Sequence, residues 1–148
     1  MTHLKIGDIA PVFTAKDQND NVINLADFIG KKVILYFYPK DSTPGCTAQA
    51  CDLRDNYNIL LKKGYAVVGV SADTQKSHQK FIEKNSLPFP LIADTEKKLL
   101  TQYGVWGPKK FMGRTFDGIN RTTFVINEKG VIEDIIEKVK TKEHTKQI

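Results

Sequence analysis

Two short runs of apolar, strand-forming residues constrain the fold most: residues 33–38 and residues 66–71. Neither run alternates with polar residues, which is typical of strands that are buried on both faces of a sheet. Between them, apolar side chains recur at helical spacing from residue 47 to residue 63, and Gly64 stands where a helix commonly ends. A strand–helix–strand unit of this kind predicts parallel strands joined by a right-handed crossover.

The remaining apolar patterns extend this arrangement. Two late strands separated by a segment that ends in Gly130 have the spacing of a hairpin, and the turn residues Asp20 and Asn21 predict a second, N-terminal hairpin. The order predicts the α/β class, with a central mixed β-sheet flanked by helices and an N-terminal β-hairpin. One domain, 1–148, is expected from the length of 148 residues. The predicted bounds are the N-terminal hairpin over 12–25, a helix over 75–85, a strand over 91–93, a helix over 96–103, and strands over 122–126 and 131–136.

The charge pattern and hydropathy exclude two classes of partner. The formal net charge is +5, but the lysine doublets are dispersed along the chain, so no nucleic-acid partner is expected. No apolar stretch approaches the length of about 18 residues that a membrane-spanning helix needs. The first residues lack the apolar region of a signal peptide, and a cytoplasmic location is the expectation.

The cysteines indicate redox chemistry rather than a structural role. The chain has two, Cys46 and Cys51. A reducing cytosol disfavours a permanent disulfide, and one closing so short a loop would add limited stability. Two cysteines without a nearby histidine do not supply the four ligands of a zinc site, so no metal is expected.

The loop after the first buried strand places Cys46 at the start of a helix. Pro44 suits the first helical position, and Thr43 is expected to be extended, as an N-cap residue is. Cys46 then lies in the first turn, where free backbone N–H groups and the helix dipole favour a thiolate. Open α/β sheets carry their chemistry beyond the carboxyl ends of strands, so this loop is the expected active site. The alternative for each cysteine is a small buried hydrophobic residue.

Cys51 lies five residues after Cys46. In an intact helix the two Cα atoms would be roughly 8.6 Å apart. A disulfide needs about 4.4–6.8 Å. The two cysteines can therefore pair only if the first turns of the helix unwind, and we expect any oxidation to the disulfide to melt part of residues 43–52.

The residues around Cys46 and several later segments together match the sequence motifs of one protein family. The first motif is a proline, three residues, a threonine, two residues and a cysteine, and Pro39, Thr43 and Cys46 match it. The wider matches are Tyr36-Phe37-Tyr38-Pro39-Lys40-Asp41, Thr43-Pro44-Gly45-Cys46-Thr47, Cys51, Gly69-Val70-Ser71, Tyr103-Gly104-Val105-Trp106-Gly107 and Gly118-Ile119-Asn120-Arg121-Thr122-Thr123-Phe124. In these residues the chain resembles the peroxiredoxins, and within them the bacterioferritin-comigratory-protein or Q-type subfamily.

The resemblance implies a thioredoxin-like fold and the reduction of hydrogen peroxide and organic hydroperoxides, without a metal or organic cofactor. It implies that Cys46 is the peroxidatic cysteine and that Cys51 is the resolving cysteine, which forms an intramolecular disulfide recycled by thioredoxin or a similar dithiol. A monomer is the expectation, with a weak homodimer as the alternative, because an intramolecular disulfide needs no partner subunit.

The resemblance also assigns three supporting residues. Arg121 would hold the thiolate charge and donate to the peroxide, Thr43 would hydrogen-bond the sulfur or the peroxide, and Pro39 would limit solvent access. Each has a simpler alternative: a surface or salt-bridged arginine, an N-cap and a strand terminator. Arg54 is a rival basic residue on the Cys46 helix. Gln49 departs from the subfamily, which usually carries glutamate there, so its bond to Arg121 would bring no charge.

Two other functions are compatible with the reactive cysteine. A thioredoxin-like disulfide oxidoreductase uses two cysteines separated by two residues, whereas Cys46 and Cys51 are separated by four. A redox sensor or binding module on the same fold would need the reactive cysteine but not rapid turnover.

Overall fold

The computed structural model describes residues 2–148, so Met1 of the expected domain lies outside the described residues. The strands are β1 (Thr14–Lys16), β2 (Val22–Asn24), β3 (Lys32–Phe37), β4 (Tyr65–Ser71), β5 (Leu91–Ala93), β6 (Trp106–Phe111), β7 (Arg114–Ile119), β8 (Thr122–Ile126) and β9 (Ile132–Ile136). The helices are α1 (Pro44–Asp55), α2 (Tyr57–Lys62), α3 (Gln75–Asn85), α4 (Lys98–Gln102) and α5 (His144–Gln147), with a short 3-10 turn at Leu25–Phe28.

Five strands form the central sheet, in the order β5-β4-β3-β8-β9. The strands β3, β4 and β5 are parallel, whereas β8 pairs antiparallel with both β3 and β9. The strands β1 and β2 form a separate antiparallel hairpin. The predicted mixed sheet, its parallel unit and the N-terminal hairpin are therefore confirmed.

The alternation of side chains along β3 divides the core in two. Val33, Leu35 and Phe37 pack on one face of the sheet, together with residues of α4 and β8. Ile34 and Tyr36 point to the other face, where they meet apolar residues of α1, α2 and α3. The helix α1, which carries both cysteines, therefore packs on this face of the central strand together with α2 and α3.

The predicted helix over residues 47–63 is wrong in one respect, because two helices occupy that stretch. The first, α1, ends at Asp55, and Asn56 separates it from α2. The Asn56 side chain donates from Nδ2 to the Asp52 carbonyl at 2.9 Å, and the Asn56 backbone N–H donates to the same carbonyl at 3.2 Å. Both cysteines remain within the single helix α1.

The hairpin of β6 and β7 was not predicted from the sequence. Its strands are mostly exposed and carry no apolar alternation, so the pattern that revealed the other strands is lacking. The hairpin depends on its turn instead, where Met112 and Gly113 have φ of 51° and 77°. Two successive positive φ values match the right-handed twist of the flanking strands. The hairpin leads directly to the link that carries Arg121.

The helices are short throughout residues 2–148, and none of them is both long and apolar enough to cross a membrane. The predicted helix over 96–103 is confirmed in type but spans only Lys98–Gln102.

Candidate active site

Cys46 occupies the first turn of α1, immediately beyond the carboxyl end of β3. Thr43 is extended, with φ of −86° and ψ of 154°, and Pro44 is the first helical residue, as the sequence predicts. The loop between Tyr38 and Thr43 turns sharply, because Ser42 adopts a left-handed φ of 61°. Cys46 thus lies in the turn whose backbone N–H groups have no partner within the helix.

Arg121 reaches Cys46 from the other side of the fold. It lies in the link between β7 and β8, and its Nη2 donates to the Cys46 Sγ at 3.3 Å. Its Nη1 donates to the Gln49 Oε1 at 2.6 Å. Gln49 follows Cys46 by three residues, so one turn of α1 presents both the sulfur and the acceptor that orients the guanidinium. The amide thus accepts the hydrogen bond that the sequence analysis expected of it.

The sulfur is enclosed. Cys46 is 1% exposed and Gln49 is fully buried. Within the described residues, the Tyr36 hydroxyl and the Gln49 Nε2 are buried without a hydrogen-bond partner. Burial raises the pKa of the Tyr36 phenol well above its ordinary value, and the charges of Cys46 and Asp41 raise it further, so the hydroxyl keeps its proton. Both residues lie near Cys46, since Tyr36 shares its apolar cluster and Gln49 follows it by three residues on α1.

A buried polar cluster supports the cysteine loop from behind. The Asp41 carboxylate accepts from the Tyr38 hydroxyl at 2.6 Å and from the Ser77 hydroxyl at 2.8 Å. Its Oδ2 lies 2.7 Å from the His78 Nδ1, and the His78 Nε2 lies 2.9 Å from the Ile92 carbonyl. The cluster ties the loop to α3 and to β5. Asp41 and His78 were assigned no role from the sequence, since residues this far apart in the chain leave no periodic signal.

Asp73 extends the cluster. Its Oδ2 accepts from the Asp41 backbone N–H at 2.8 Å and from the Ser71 hydroxyl at 2.7 Å. Ligand atoms of Asp41, Asp73 and His78 all lie within 4.8 Å of one another, a spacing that a metal ion could bridge. The hydrogen bonds between these groups already account for their closeness.

Cys51 lies two turns further along α1 than the helix start and is partly exposed. Its Sγ is 3.7 Å from the Asn85 Oδ1 of α3, and both cysteines are free thiols. Because α1 is unbroken between them, the helical separation calculated above applies, and disulfide formation still requires a local rearrangement.

The other predicted residues border the same loop. Thr43 donates from Oγ1 to the Lys40 carbonyl at 2.8 Å and does not cap the helix with its side chain. Pro39 is half-buried at the start of the loop. The rival residue Arg54 is engaged elsewhere: it pairs with Asp55 at 2.9 Å and donates to the Asn85 carbonyl.

The short helix α5 is attached to α1 beside the cysteines. Thr145 donates from its backbone N and from Oγ1 to the Asp52 Oδ2, each at 2.7 Å. The buried His144 lies 2.9 Å from the Thr123 Oγ1 and 3.0 Å from the Gln147 Oε1. Burial lowers the pKa of His144, although the Gln147 hydrogen bond and the Asp52 charge oppose the shift.

Comparison with known proteins places this geometry in a family. The AhpC/TSA family matches residues 6–135. A relative from Haemophilus influenzae, named as a putative peroxiredoxin bcp, is 49% identical over 148 residues, which are 100% of this chain and 96% of the relative.

Solved structures agree with the sequence comparison. A PrxQ from Xylella fastidiosa has a TM-score of 0.92 at 28% identity and covers 99% of this chain and 94% of its own. The bacterioferritin comigratory protein of Xanthomonas campestris has a TM-score of 0.87 at 30% identity, and the match covers 99% of this chain and 94% of that protein's chain. Its structure was used to study alkyl peroxide reduction. These neighbours have the thioredoxin-like fold that the sequence analysis expected.

Proposed function

The chain belongs to the AhpC/TSA family and is a thiol peroxidase of the peroxiredoxin type, and from this premise we propose that Cys46 is its peroxidatic cysteine and Cys51 its resolving cysteine. The observation that carries the proposal is the donor bond from Arg121 to the Cys46 sulfur at a helix start. A cation and free amides at one sulfur stabilise the thiolate, which is the nucleophile.

In the first step the Cys46 thiolate attacks the terminal oxygen of a hydroperoxide. An S–O bond forms as the O–O bond breaks, so the sulfur loses two electrons and becomes a sulfenic acid. The leaving alkoxide or hydroxide takes up a proton and departs as an alcohol or water. The Arg121 guanidinium donates to the peroxide oxygens as charge moves onto the leaving oxygen, and the Thr43 hydroxyl oxygen accepts from the peroxide O–H. Pro39 shields the sulfur from solvent.

In the second step the Cys51 thiol attacks the sulfenic sulfur and releases water, which closes an intramolecular disulfide. This step needs the first turns of α1 to unwind. A dithiol then attacks the disulfide, takes the oxidising equivalents as its own disulfide, and returns both cysteines to thiols. Hydrogen peroxide and organic hydroperoxides are the proposed substrates, and thioredoxin is the proposed reductant.

The burial of Cys46 distinguishes this function from a disulfide oxidoreductase. A protein disulfide is bulky, and attack on it requires an exposed sulfur, whereas Cys46 is 1% exposed. The terminal oxygen of a peroxide is small enough to reach an enclosed sulfur. The proposal includes a monomer, because the disulfide lies within one chain, and a cytoplasmic location, because the cycle depends on a reducing dithiol.

The test is to add one equivalent of hydrogen peroxide to the reduced protein and to locate the modified sulfur by mass spectrometry. We expect the Cys46–Cys51 disulfide in the parent, a trapped sulfenic acid on residue 46 in Cys51→Ser, and no oxidation in Cys46→Ser. Peroxide-dependent oxidation of NADPH with thioredoxin and its reductase should require both cysteines. Multi-turnover activity in Cys51→Ser would refute the resolving role, and an unmodified Cys46 in the parent would refute the peroxidatic role.

A further inference from the structure

The short link that carries Arg121 is held by three hydrogen bonds. The Asn120 backbone N–H donates to the Val105 carbonyl at 2.7 Å, and the Thr122 hydroxyl donates to the Asn120 carbonyl at 2.9 Å. The third bond comes from a distant cation: the Lys109 Nζ donates to the Ile119 carbonyl at 2.7 Å. The carbonyl so fixed is two residues before Arg121.

The hairpin is shaped so that Lys109 can reach this carbonyl. Lys109 lies on β6, and Gly118 lies on the neighbouring strand β7. A Cβ at position 118 would lie 3.0 Å from the Lys109 Cδ, so the lysine stem crosses the hairpin over the bare backbone of the glycine. Lys109 is partly buried there, whereas its neighbour Lys110 is exposed. A long cationic side chain laid over a glycine is a specific fit rather than a solvated surface residue.

Charge links Lys109 to the reacting centre. Burial lowers the pKa of the Lys109 amino group, the Arg121 charge lowers it further, and the Cys46 charge opposes both. The lysine is therefore close enough to sense both members of the Arg121–Cys46 contact, although it contacts neither directly.

Resting on the proposed function, we propose that Lys109 is a positioning residue for peroxide reduction: by holding the Ile119 carbonyl, it keeps the Arg121 guanidinium directed at the Cys46 sulfur. The effect is transmitted through two residues of backbone. Without the bond, the β7–β8 link would retain its two other hydrogen bonds but would lose the one that connects it to the middle of β6. The Arg121 side chain would then sample positions away from the sulfur, and fewer molecules would be ready to react.

The test is the second-order rate constant for oxidation of Cys46 by hydrogen peroxide, measured in a single turnover with the parent, Lys109→Met and Lys110→Met. Methionine keeps an apolar stem over Gly118 and removes the donor. We expect about a tenfold decrease for Lys109→Met, in the range of a lost hydrogen bond to a charged group. Lys110→Met removes the same charge from the adjacent residue and should remain within about twofold of the parent. Lys109→Arg, which restores a cationic donor, should recover to within about threefold.

A double-mutant cycle separates positioning from a general weakening of the hairpin. In an Arg121→Ala background, Lys109→Met should change the rate constant by less than about twofold, because the residue it positions is gone. The proposal is overturned if Lys109→Met reacts like the parent, if arginine fails to rescue, or if the tenfold decrease persists in Arg121→Ala. Failure of the proposed function would appear separately, as a parent protein whose Cys46 does not react with peroxide.

Discussion

His78 and Asp41 form a fully buried pair behind the cysteine loop, with Nδ1 and Oδ2 2.7 Å apart. The other ring nitrogen of His78 faces the Ile92 carbonyl, which can only accept, so Nε2 carries a proton. The Asp41 carboxylate also accepts from the Tyr38 and Ser77 hydroxyls. These contacts give the buried carboxylate a full set of hydrogen-bond partners from the loop after β3 and from α3. The loop leading to Cys46 is thus fixed by a buried hydrogen-bonded network as well as by apolar packing.

Breaking this pair should destabilise the protein strongly. Asp41→Asn keeps the shape of the side chain but leaves His78 without its carboxylate in a buried site. We expect a loss of about 3 kcal/mol in the free energy of unfolding, measured with urea. Glu96→Gln is the matched control, because Glu96 pairs with Lys98 at the surface, where both side chains are more than two-thirds exposed. The control should change stability by less than about 0.5 kcal/mol. Equal effects of the two changes would contradict the interpretation that the buried Asp41–His78 contact supports the fold.

The Asp52–Thr145 bonds should restrain the unwinding of α1. In Asp52→Ala the helix loses its attachment to α5, so we expect faster amide hydrogen exchange over residues 51–55 and faster closure of the Cys46–Cys51 disulfide after one equivalent of peroxide. Asp55→Ala makes the same substitution at an exposed position of α1 and should leave both rates near those of the parent. Slower disulfide closure in Asp52→Ala would show that the attachment assists the rearrangement instead.

Gln49 should matter as an acceptor rather than as an amide. Gln49→Ala frees the Arg121 Nη1, and we expect the rate of Cys46 oxidation by hydrogen peroxide to fall about tenfold. Gln49→Glu retains an oxygen for the guanidinium and should remain within a few fold of the parent. Single-turnover thiol loss measures both. If Gln49→Ala reacts as fast as the parent, the hydrogen bond to Arg121 has no part in its orientation.

His144 should make stability depend on pH in the mildly acidic range. Its pKa is lowered by burial, so the unfolded chain binds the proton more readily than the folded one. The contribution of His144 to the free energy of unfolding is therefore complete above the ordinary pKa of 6.5. It is lost as the pH falls below 6.5 towards the lowered pKa of the folded protein.

Comparison with His144→Gln isolates this contribution, because every other titratable group is the same in both proteins. Between about pH 7.5 and about pH 5.5 the parent should lose more unfolding free energy than the variant, as measured with urea at each pH. Parallel pH profiles would exclude the assignment to His144.

The sequence predicted what depends on local pattern. The strands β3 and β4 were evident as apolar runs because they are buried on both faces, and the start of α1 at Pro44 followed from proline geometry. The break at Asn56 was not predicted, since the helical spacing of apolar residues continues across it from Leu53 to Tyr57 and Leu60. The β6–β7 hairpin was not predicted either, because its turn rather than its burial specifies it.

The site was predicted where the chemistry is concentrated in one segment. The position of Cys46 at a helix start was enough to predict a reactive cysteine, and the family resemblance added Arg121. Asp41 and His78 meet across 37 residues of chain, and Lys109 reaches Ile119 across a hairpin that was itself not predicted, so neither propensity nor spacing encodes these contacts. Their geometry became evident only when the elements were folded together.

Because Cys46 and Cys51 share one continuous helix, a more stable α1 should slow the catalytic turnover of this chain. Every substitution, osmolyte or bound molecule that stabilises α1 should delay disulfide formation. Cys46 would then remain longer as the sulfenic acid, which a second equivalent of peroxide can oxidise further. A variant made thermostable through α1 should accordingly be inactivated by peroxide more readily than the parent.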